Sequence, residues 1–182
     1  QPVPVDRWPG TDSPVRPKLF APMGAAVAFS SVSGAWGAKD LVDHAFDLHE
    51  YASSDTFQVG PLMLRFCEVP HFIDTNAIEI TAEGCGRFTY GADCSPSDEL
   101  VEFARDTDLL LIEATLPRPE RSGSRGHLTP AEAGDHGRLA NAGRLVLTHI
   151  SDELDELWAI RSAQQAFNGV VDIAHEGMVL EL

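Results

Sequence analysis

Basic residues are scarce in this sequence, and their scarcity excludes a large class of functions. The chain has 182 residues, of which 13 are Lys or Arg and 28 are Asp or Glu, so its formal net charge is −15 with neutral histidines. A protein that binds nucleic acid by displacing counterions needs clustered Lys and Arg. Binding to an anionic membrane surface needs basic clusters as well. The composition therefore predicts neither a simple nucleic-acid-binding module nor a membrane-surface protein.

Cysteine is rare too, and long apolar runs are missing. Cys67, Cys85 and Cys94 form no even framework and no CxxC pair. A chain of this length buries a core without disulfides, so we expect a reducing, cytoplasmic location. No apolar run approaches the roughly 18 to 20 residues that a transmembrane helix requires. With 43% hydrophobic residues, we expect one domain over residues 1–182, beginning with a Pro-rich loop at 1–17.

The spacing of apolar residues changes after Gly91. The elements predicted before it are strand 18–21, helices 25–33 and 39–46, and, in a meander that begins near Phe57, strands 61–69, 77–82 and 87–90. Those predicted after it are helices 97–105, 130–141 and 153–167, strands 108–112 and 144–148, and a closing hairpin of 170–174 with 178–182. Continuously apolar strands between helices are typical of a sheet covered on both faces. The fold class predicted is α/β.

Five side chains with metal-binding chemistry lie close to the ends of the predicted strands or in the long polar loop between them. They are His71, Asp93, Glu113, His127 and His149. Ligands and catalytic groups converge at strand ends in open α/β sheets, and a long loop inside a compact domain is usually functional. Neutral imidazole nitrogen and carboxylate oxygen suit zinc or manganese. Each residue alone is more often an ordinary hydrogen-bonded group, but all five together predict a metal site.

The other four histidines are interpreted as residues without a catalytic role. They are His44, His49, His136 and His175, which fall on or beside predicted helices or the last hairpin. Two of the candidate carboxylates also have a simpler interpretation. Asp93 could cap a turn leading to Ser97, and Glu113 could be a satisfied carboxylate at a strand edge.

Five sequence blocks follow one another in a recognisable order: PH at 70–71, YGAD at 90–93, LLIEAT at 110–115, GHLTPAEA at 126–133 and LTH at 147–149. The series resembles the metallo-β-lactamase-fold hydrolases, and among them the ribonuclease Z-like branch with its GD, HEAT, GHST and LTH blocks. The resemblance extends from about residue 18 to residue 182. It implies a metallo-β-lactamase-like αββα sandwich with two divalent metal ions, zinc or manganese, at the strand ends.

The resemblance also implies a role for each candidate. By position, His71 resembles a ligand of the first metal, Asp93 the bridging carboxylate and His149 a ligand of the second. His127 resembles the histidine that positions the scissile phosphate and protonates the leaving oxygen. Glu113 resembles the glutamate that orients a catalytic histidine. The implied reaction is attack on phosphorus by a water molecule activated between two metals.

This sequence departs from the family pattern in three places. The HxHxDH motif, which supplies further ligands and the general-base Asp, is absent from the 182 residues, so we expect a segment in front of Gln1 or, failing that, a partner chain. The interval between His71 and Asp93 is too short for the tRNA-gripping arm of ribonuclease Z, and GHLT replaces GHST. Each metal would have two protein ligands here instead of three or four. We therefore expect the chain alone to bind metal weakly and to be inactive.

The leading functional hypothesis is a metal-dependent phosphodiesterase, active in the intact protein. The short interval and the charge of −15 favour a small substrate such as a cyclic nucleotide over tRNA. One alternative is a hydrolase of a non-phosphate ester or lactone, because this scaffold hosts many chemistries. Another is a non-catalytic remnant that acts by binding. The resemblance also suggests a homodimer, and the acidic composition predicts no membrane partner.

Overall fold

The computed structural model describes residues 15–182 and divides the chain into two compact units, Gln1–Ser53 and Ser54–Leu182. Residues 1–14 of the predicted Pro-rich loop lie outside the described residues, and residues 15–17 have neither helix nor strand. The prediction of one domain over residues 1–182 stays a prediction. Within the described part of the chain, none of the helices combines the length and apolarity needed to span a bilayer.

The first unit contains a two-stranded parallel sheet and two helices. Its elements are β1 (Lys18–Pro22), α1 (Ala25–Ala35), α2 (Leu41–Ala45) and β2 (Asp47–Tyr51). The predicted strand and both predicted helices are confirmed, but β2 was not predicted. Its sequence, DLHEY, is mostly polar, and it becomes a strand by pairing with β1, almost thirty positions earlier, in the register Lys18 to Asp47. A single-sequence pattern carries little signal for such a pairing.

The second unit is built on a seven-stranded mixed sheet. Its elements are β3 (Thr56–Val59), β4 (Leu62–Val69), β5 (Thr75–Ala82), β6 (Phe88–Tyr90), α3 (Asp98–Phe103), β7 (Leu109–Glu113), α4 (Pro130–Leu139), β8 (Arg144–Thr148), α5 (Glu156–Phe167) and β9 (Val171–Ile173). The strands lie side by side in chain order. Neighbours from β3 to β6 are antiparallel, and neighbours from β6 to β9 are parallel. The change of apolar spacing after Gly91 therefore marks the real change of architecture, and the predicted α/β class is confirmed.

Local signals in the sequence explain where α4 starts. Thr129 is its N-cap, and its hydroxyl oxygen accepts a hydrogen bond from the backbone N–H of Glu132. The Glu132 carboxylate in turn accepts one from the backbone N–H of Thr129 at 2.9 Å, which completes a capping box. Pro130 occupies the first helical position, where its missing N–H costs nothing. The predicted cap and proline position are both confirmed.

The largest apolar cluster of the described residues packs on one face of the parallel strands. Leu110 and Ile112 of β7 and Leu145 and Leu147 of β8 are fully buried. They belong to one apolar cluster with residues of the three helices of this unit, including Leu100, Ala133 and Ala163. Burial of such side chains contributes about 1.5–3 kcal/mol each. This packing gives the carboxyl ends of β7 and β8 a rigid base, and those ends carry two of the predicted site residues.

The predicted closing hairpin is wrong in its second half. The turn is present, because Met178 N–H donates to His175 O at 3.0 Å and Gly177 adopts a positive φ of 78°. Residues 178–182, however, form no strand. The chain end leaves β9 and reaches the start of β6, three strands away in the sheet, where Leu182 lies against Gly86. Residues 178–182 therefore cross the sheet instead of pairing with its edge strand.

Gly134 of α4 offers a test of the helix packing. A Cβ there would overlap the backbone carbonyl oxygen of Ala163 in α5 and would lie 2.9 Å from Ala166 Cβ. Because that carbonyl is backbone, Gly134→Ala should lower the free energy of unfolding by about 1–3 kcal/mol in urea denaturation. Gly137→Ala in the same helix is the control. Its Cβ would meet only the side chains of Leu145 and Phe167, both at 3.1 Å, and equal effects of the two variants would contradict the argument.

Candidate metal centre

Backbone hydrogen bonds bring the predicted site segments to one edge of the sheet. Ser95 N–H donates to Pro70 O at 2.8 Å, which joins the segment after Asp93 to the end of β4. Ala114 N–H donates to Thr148 O at 3.0 Å, which joins the ends of β7 and β8. Strand ends that are several tens of residues apart in sequence thus become neighbours. This agrees with the expectation that functional groups converge at the strand ends of an open α/β sheet.

Three side chains converge at this edge, close enough together to hold a metal ion. Asp93, His127 and His149 each offer a ligand atom, and these atoms all lie within 4.8 Å of one another. Asp93 and His127 are half-buried, and His149 is exposed. The ring centroid of His71 lies 5.0 Å from that of His127, so His71 borders the cluster without belonging to it. We call Asp93, His127 and His149 the ligand cluster.

Glu113 lies fully buried beneath the ligand cluster, and its carboxylate accepts four hydrogen bonds. Oε1 accepts from Cys94 N–H at 3.0 Å and from His127 Nδ1–H at 2.8 Å. Oε2 accepts from the backbone N–H of Thr115 at 3.2 Å and from its hydroxyl at 2.7 Å. A buried carboxylate without partners would be costly, and here every partner also belongs to the site.

Thr115 connects this carboxylate to His149. Its hydroxyl oxygen lies 2.7 Å from Glu113 Oε2 and 2.9 Å from His149 Nδ1. When the hydroxyl donates to the carboxylate, its oxygen can accept a hydrogen bond from His149 Nδ1–H, and this Nδ1 atom also lies 3.4 Å from Asp93 Oδ1. The backbone carbonyl oxygen of His149, 2.8 Å away, is a second acceptor for the same hydroxyl. Glu113 therefore holds His127 directly and His149 through Thr115.

Hydrogen bonds at Nδ1 select the tautomers of two histidines. His71 Nδ1 lies 2.8 Å from Gly126 O, and His127 Nδ1 lies 2.8 Å from Glu113 Oε1. A carbonyl and a carboxylate only accept, so both Nδ1 atoms carry the proton. In the neutral ring the Nε2 atom then carries no proton, and its lone pair is available to bind a metal.

The backbone beside two residues of the ligand cluster is strained. Ala92, which precedes Asp93, has φ 55°, and His149 itself has φ 50°. Residues with a Cβ rarely adopt this left-handed conformation, and strain of this kind concentrates at functional sites. Ala92 is buried, so the surrounding structure holds it in place and thereby aims the Asp93 side chain.

Negative charge is concentrated around the ligand cluster. The pKa of the Cys94 thiol is raised to about 12, first by its burial and then by the neighbouring carboxylates Glu113 and Asp93. Burial, followed by the same two carboxylates, raises the pKa of the Tyr90 hydroxyl. Glu113 and Asp93 thus make further negative charge unfavourable near the cluster, and the same two carboxylates would stabilise a cation bound there. Two imidazoles and a carboxylate also form the mixed N and O donor set of zinc and manganese sites, so these residues fit a divalent metal.

The structure places the five predicted residues in one site, and their individual roles stay predictions. Asp93 and His149 lie in the ligand cluster, and Glu113 contacts His127 as an orienting carboxylate would. His127, predicted to act on the leaving oxygen, lies among the ligand atoms as well, whereas His71 stands beside them.

No role was predicted for Thr115, although it lies within the block LLIEAT at 110–115. A hydroxyl two positions after a buried acid was the available signal. His136, interpreted as having no catalytic role, is buried, with Nδ1 hydrogen-bonded to Glu132 O at 2.8 Å and Nε2 accepting from Ser97 N–H at 3.0 Å. Both of its ring nitrogens are used inside the fold, which agrees with that interpretation.

Comparison with known proteins identifies relatives of this chain. A family model described as "Beta-lactamase superfamily domain" matches residues 17–150. The chain is 33% identical over 136 residues to "Probable metallo-hydrolase YhfI" of Bacillus subtilis. The matched region covers 72% of this chain and 53% of that protein. It is 41% identical over 98 residues to a "Ribonuclease Z" of Haloarcula marismortui, covering 50% of this chain and 31% of that protein.

A solved structure resembles this one along most of its length. The crystal structure of the metallo-beta-lactamase fold protein YhfI from Bacillus subtilis superposes with a TM-score of 0.77 at 25% identity. The match covers 89% of this chain and 64% of that one. The chain thus spans about half to two thirds of YhfI, and about a third of the ribonuclease Z.

Proposed function

This chain belongs to the beta-lactamase superfamily and has the metallo-β-lactamase fold, and on that premise we propose that the protein is a metal-dependent phosphodiesterase. The observation that carries the proposal is the ligand cluster of Asp93, His127 and His149, supported from below by the buried carboxylate of Glu113. The similarity to a protein named ribonuclease Z supports a phosphodiester bond as the one that is cleaved.

The residues that would hold the metals are those predicted from the sequence. His71 and Asp93 would bind one divalent ion, zinc or manganese, and Asp93 and His149 would bind a second, with the Asp93 carboxylate shared between them. Bound ions of this kind activate water and stabilise the negative charge that develops on phosphate oxygens. His127 lies among the ligand atoms and would act either as a further ligand or on the substrate.

The Glu113 carboxylate orients the His127 ring. Its carboxylate accepts a hydrogen bond from His127 Nδ1–H, with 2.8 Å between Nδ1 and Oε1, which orients the ring and fixes its tautomer. The Nε2 atom would then bind a cation or, in the protonated ring, hold a proton for the leaving oxygen. The Thr115 hydroxyl, 2.9 Å from His149 Nδ1, orients the other histidine in the same way.

We further propose that the substrate is small, such as a cyclic nucleotide, and that tRNA is not a substrate. Between His71 and Asp93 the chain forms β5, β6 and the turn that joins them, which leaves little length for an arm that grips a folded RNA. The net charge of −15 repels a long polyanion, whereas bound metals would offset this repulsion for a single phosphodiester. The three cysteines are free thiols, which supports the proposed cytoplasmic location.

The proposal is tested by assaying the natural polypeptide that contains these residues. We expect hydrolysis of bis-p-nitrophenyl phosphate and of a cyclic nucleotide, dependent on added zinc or manganese and abolished by a chelator. The same preparation is tested with p-nitrophenyl esters and lactones. Turnover of these in place of the phosphodiesters would contradict the proposal in favour of an ester or lactone hydrolase, and no turnover at all would indicate a non-catalytic remnant.

The 182-residue chain by itself is examined by metal titration. The roles proposed above give each ion two protein ligands, or three for one of the ions when His127 is a further ligand, where catalytic sites use about three or four. We therefore propose that this chain binds zinc weakly. Tight, stoichiometric uptake of two zinc ions by this chain would contradict that expectation.

A further inference from the structure

Phe72 is an exposed aromatic residue at the border of the ligand cluster. It follows His71 directly, and its ring centroid lies 5.0 Å from the ring of His71 and 5.7 Å from that of His127. Phe72 is 56% exposed, and its neighbour Ile73 is 74% exposed. A large apolar surface thus stands open to solvent beside groups that are otherwise polar and charged.

The loop residue Gly126 lies against the Phe72 ring. The loop residue Gly126 has no side chain where a Cβ would overlap Phe72 Cε2 and lie 2.5 Å from its Cζ. The carbonyl of the same glycine accepts the hydrogen bond from His71 Nδ1 at 2.8 Å. Gly126 therefore both seats the Phe72 ring and orients His71, so the ring has a defined position relative to the site.

We infer that Phe72 is a specificity-determining residue, which stacks on a flat aromatic group of the substrate next to the phosphodiester. The inference rests on the proposed phosphodiesterase activity and names the substrate class, a diester that carries a nucleobase. A base stacks on an aromatic ring without needing a positive charge, which suits a protein with a net charge of −15. The ring is close enough to His71 and His127 that one molecule reaches both the ring and the ligand cluster.

A purely structural role for Phe72 is the competing explanation, because the ring also contacts His71. The two roles differ in which substrates are affected. If Phe72 only supports His71, its loss weakens hydrolysis of every diester equally. If it stacks on a base, its loss weakens only the hydrolysis of substrates that have one.

The test compares two substrates of the natural polypeptide, cyclic adenosine monophosphate and the same cyclic ribose phosphate without the base. The proton released by ring opening is followed in a pH-stat. In Phe72→Ala, the ratio of kcat/KM for the nucleotide to kcat/KM for the base-free diester should fall roughly tenfold, mainly through KM, as expected for the loss of about one base–aromatic stack. Phe72→Trp should retain the ratio, whereas Phe72→Leu, which keeps apolar bulk, should not.

Leu157→Ala is the matched control, because Leu157 is an exposed apolar residue on α5 and its loss should leave the ratio as in the wild type. An unchanged ratio in Phe72→Ala, or full retention of the ratio by Phe72→Leu, would overturn the inference while leaving the proposed activity intact. If the wild type cleaves bis-p-nitrophenyl phosphate but neither cyclic diester, the inference is overturned and the phosphodiesterase activity stands. If it cleaves none of the three with metal present, the proposed activity is overturned, and the inference with it.

Discussion

Replacing Asp93 by Ala in the natural polypeptide is expected to lower metal-dependent phosphodiester hydrolysis about a thousandfold or more. Asp93 is the only carboxylate in the ligand cluster, and it is the one group proposed to contact both ions. Charge stabilisation by metals contributes several kcal/mol to such reactions, and each 1.36 kcal/mol corresponds to about a factor of ten in rate. Turnover of bis-p-nitrophenyl phosphate and zinc binding by dye competition are measured together.

Folding should be almost unaffected in the same variant. Asp93 is half-buried. Its carboxylate and that of Glu113 both place negative charge near the Cys94 thiol. Removing one of two like charges relieves repulsion, so the free energy of unfolding of the metal-free protein should change by less than about 1 kcal/mol. Asp152→Ala, at an exposed position, should leave both rate and zinc affinity unchanged. Wild-type zinc affinity in Asp93→Ala would contradict the proposed site.

Replacing Glu113 by Ala should have the largest effect on stability. The substitution leaves three donors without their acceptor, those of Cys94 N, His127 Nδ1 and Thr115 N. The Thr115 hydroxyl can turn to the His149 carbonyl oxygen, which lies 2.8 Å away. Buried donors without partners cost about 1–3 kcal/mol each, and some will find water, so we expect a loss of about 3–5 kcal/mol in urea denaturation of the metal-free protein. Zinc affinity should fall about 10- to 100-fold, because His127 loses its orienting partner.

A second substitution of Glu113 separates the effect of its charge from that of its shape, and a surface carboxylate serves as the control. Glu113→Gln retains the shape but places an amide NH₂ where two donors already point, so its loss of stability should be smaller, about 1–3 kcal/mol. Glu102→Ala removes an exposed carboxylate that pairs with Arg105, and should cost less than about 0.5 kcal/mol. If Glu113→Ala were as stable as Glu102→Ala, the buried network would not have the role assigned to it.

Much of the second unit was predictable because its signals are local. The run RLVLT predicted β8 at Arg144–Thr148, and Thr129 with Pro130 predicted the start of α4. The five site residues were predictable because they stand at or near the ends of such elements. Elements that depend on a distant partner were missed or misassigned, as β2 and residues 178–182 show. Their conformation follows from pairing with β1 or from contact with Gly86.

The sequence by itself determined the α/β class, the family resemblance and the candidates His71, Asp93, Glu113, His127 and His149, because apolar spacing, caps and motif order are properties of short segments. Only the tertiary structure decided how these candidates are connected. It placed His127 among the ligand atoms and made Thr115 the connection between Glu113 and His149. It also seated Phe72 against Gly126. These contacts join residues tens of positions apart, and such contacts form only when the strand ends and the loop come together at one edge of the sheet.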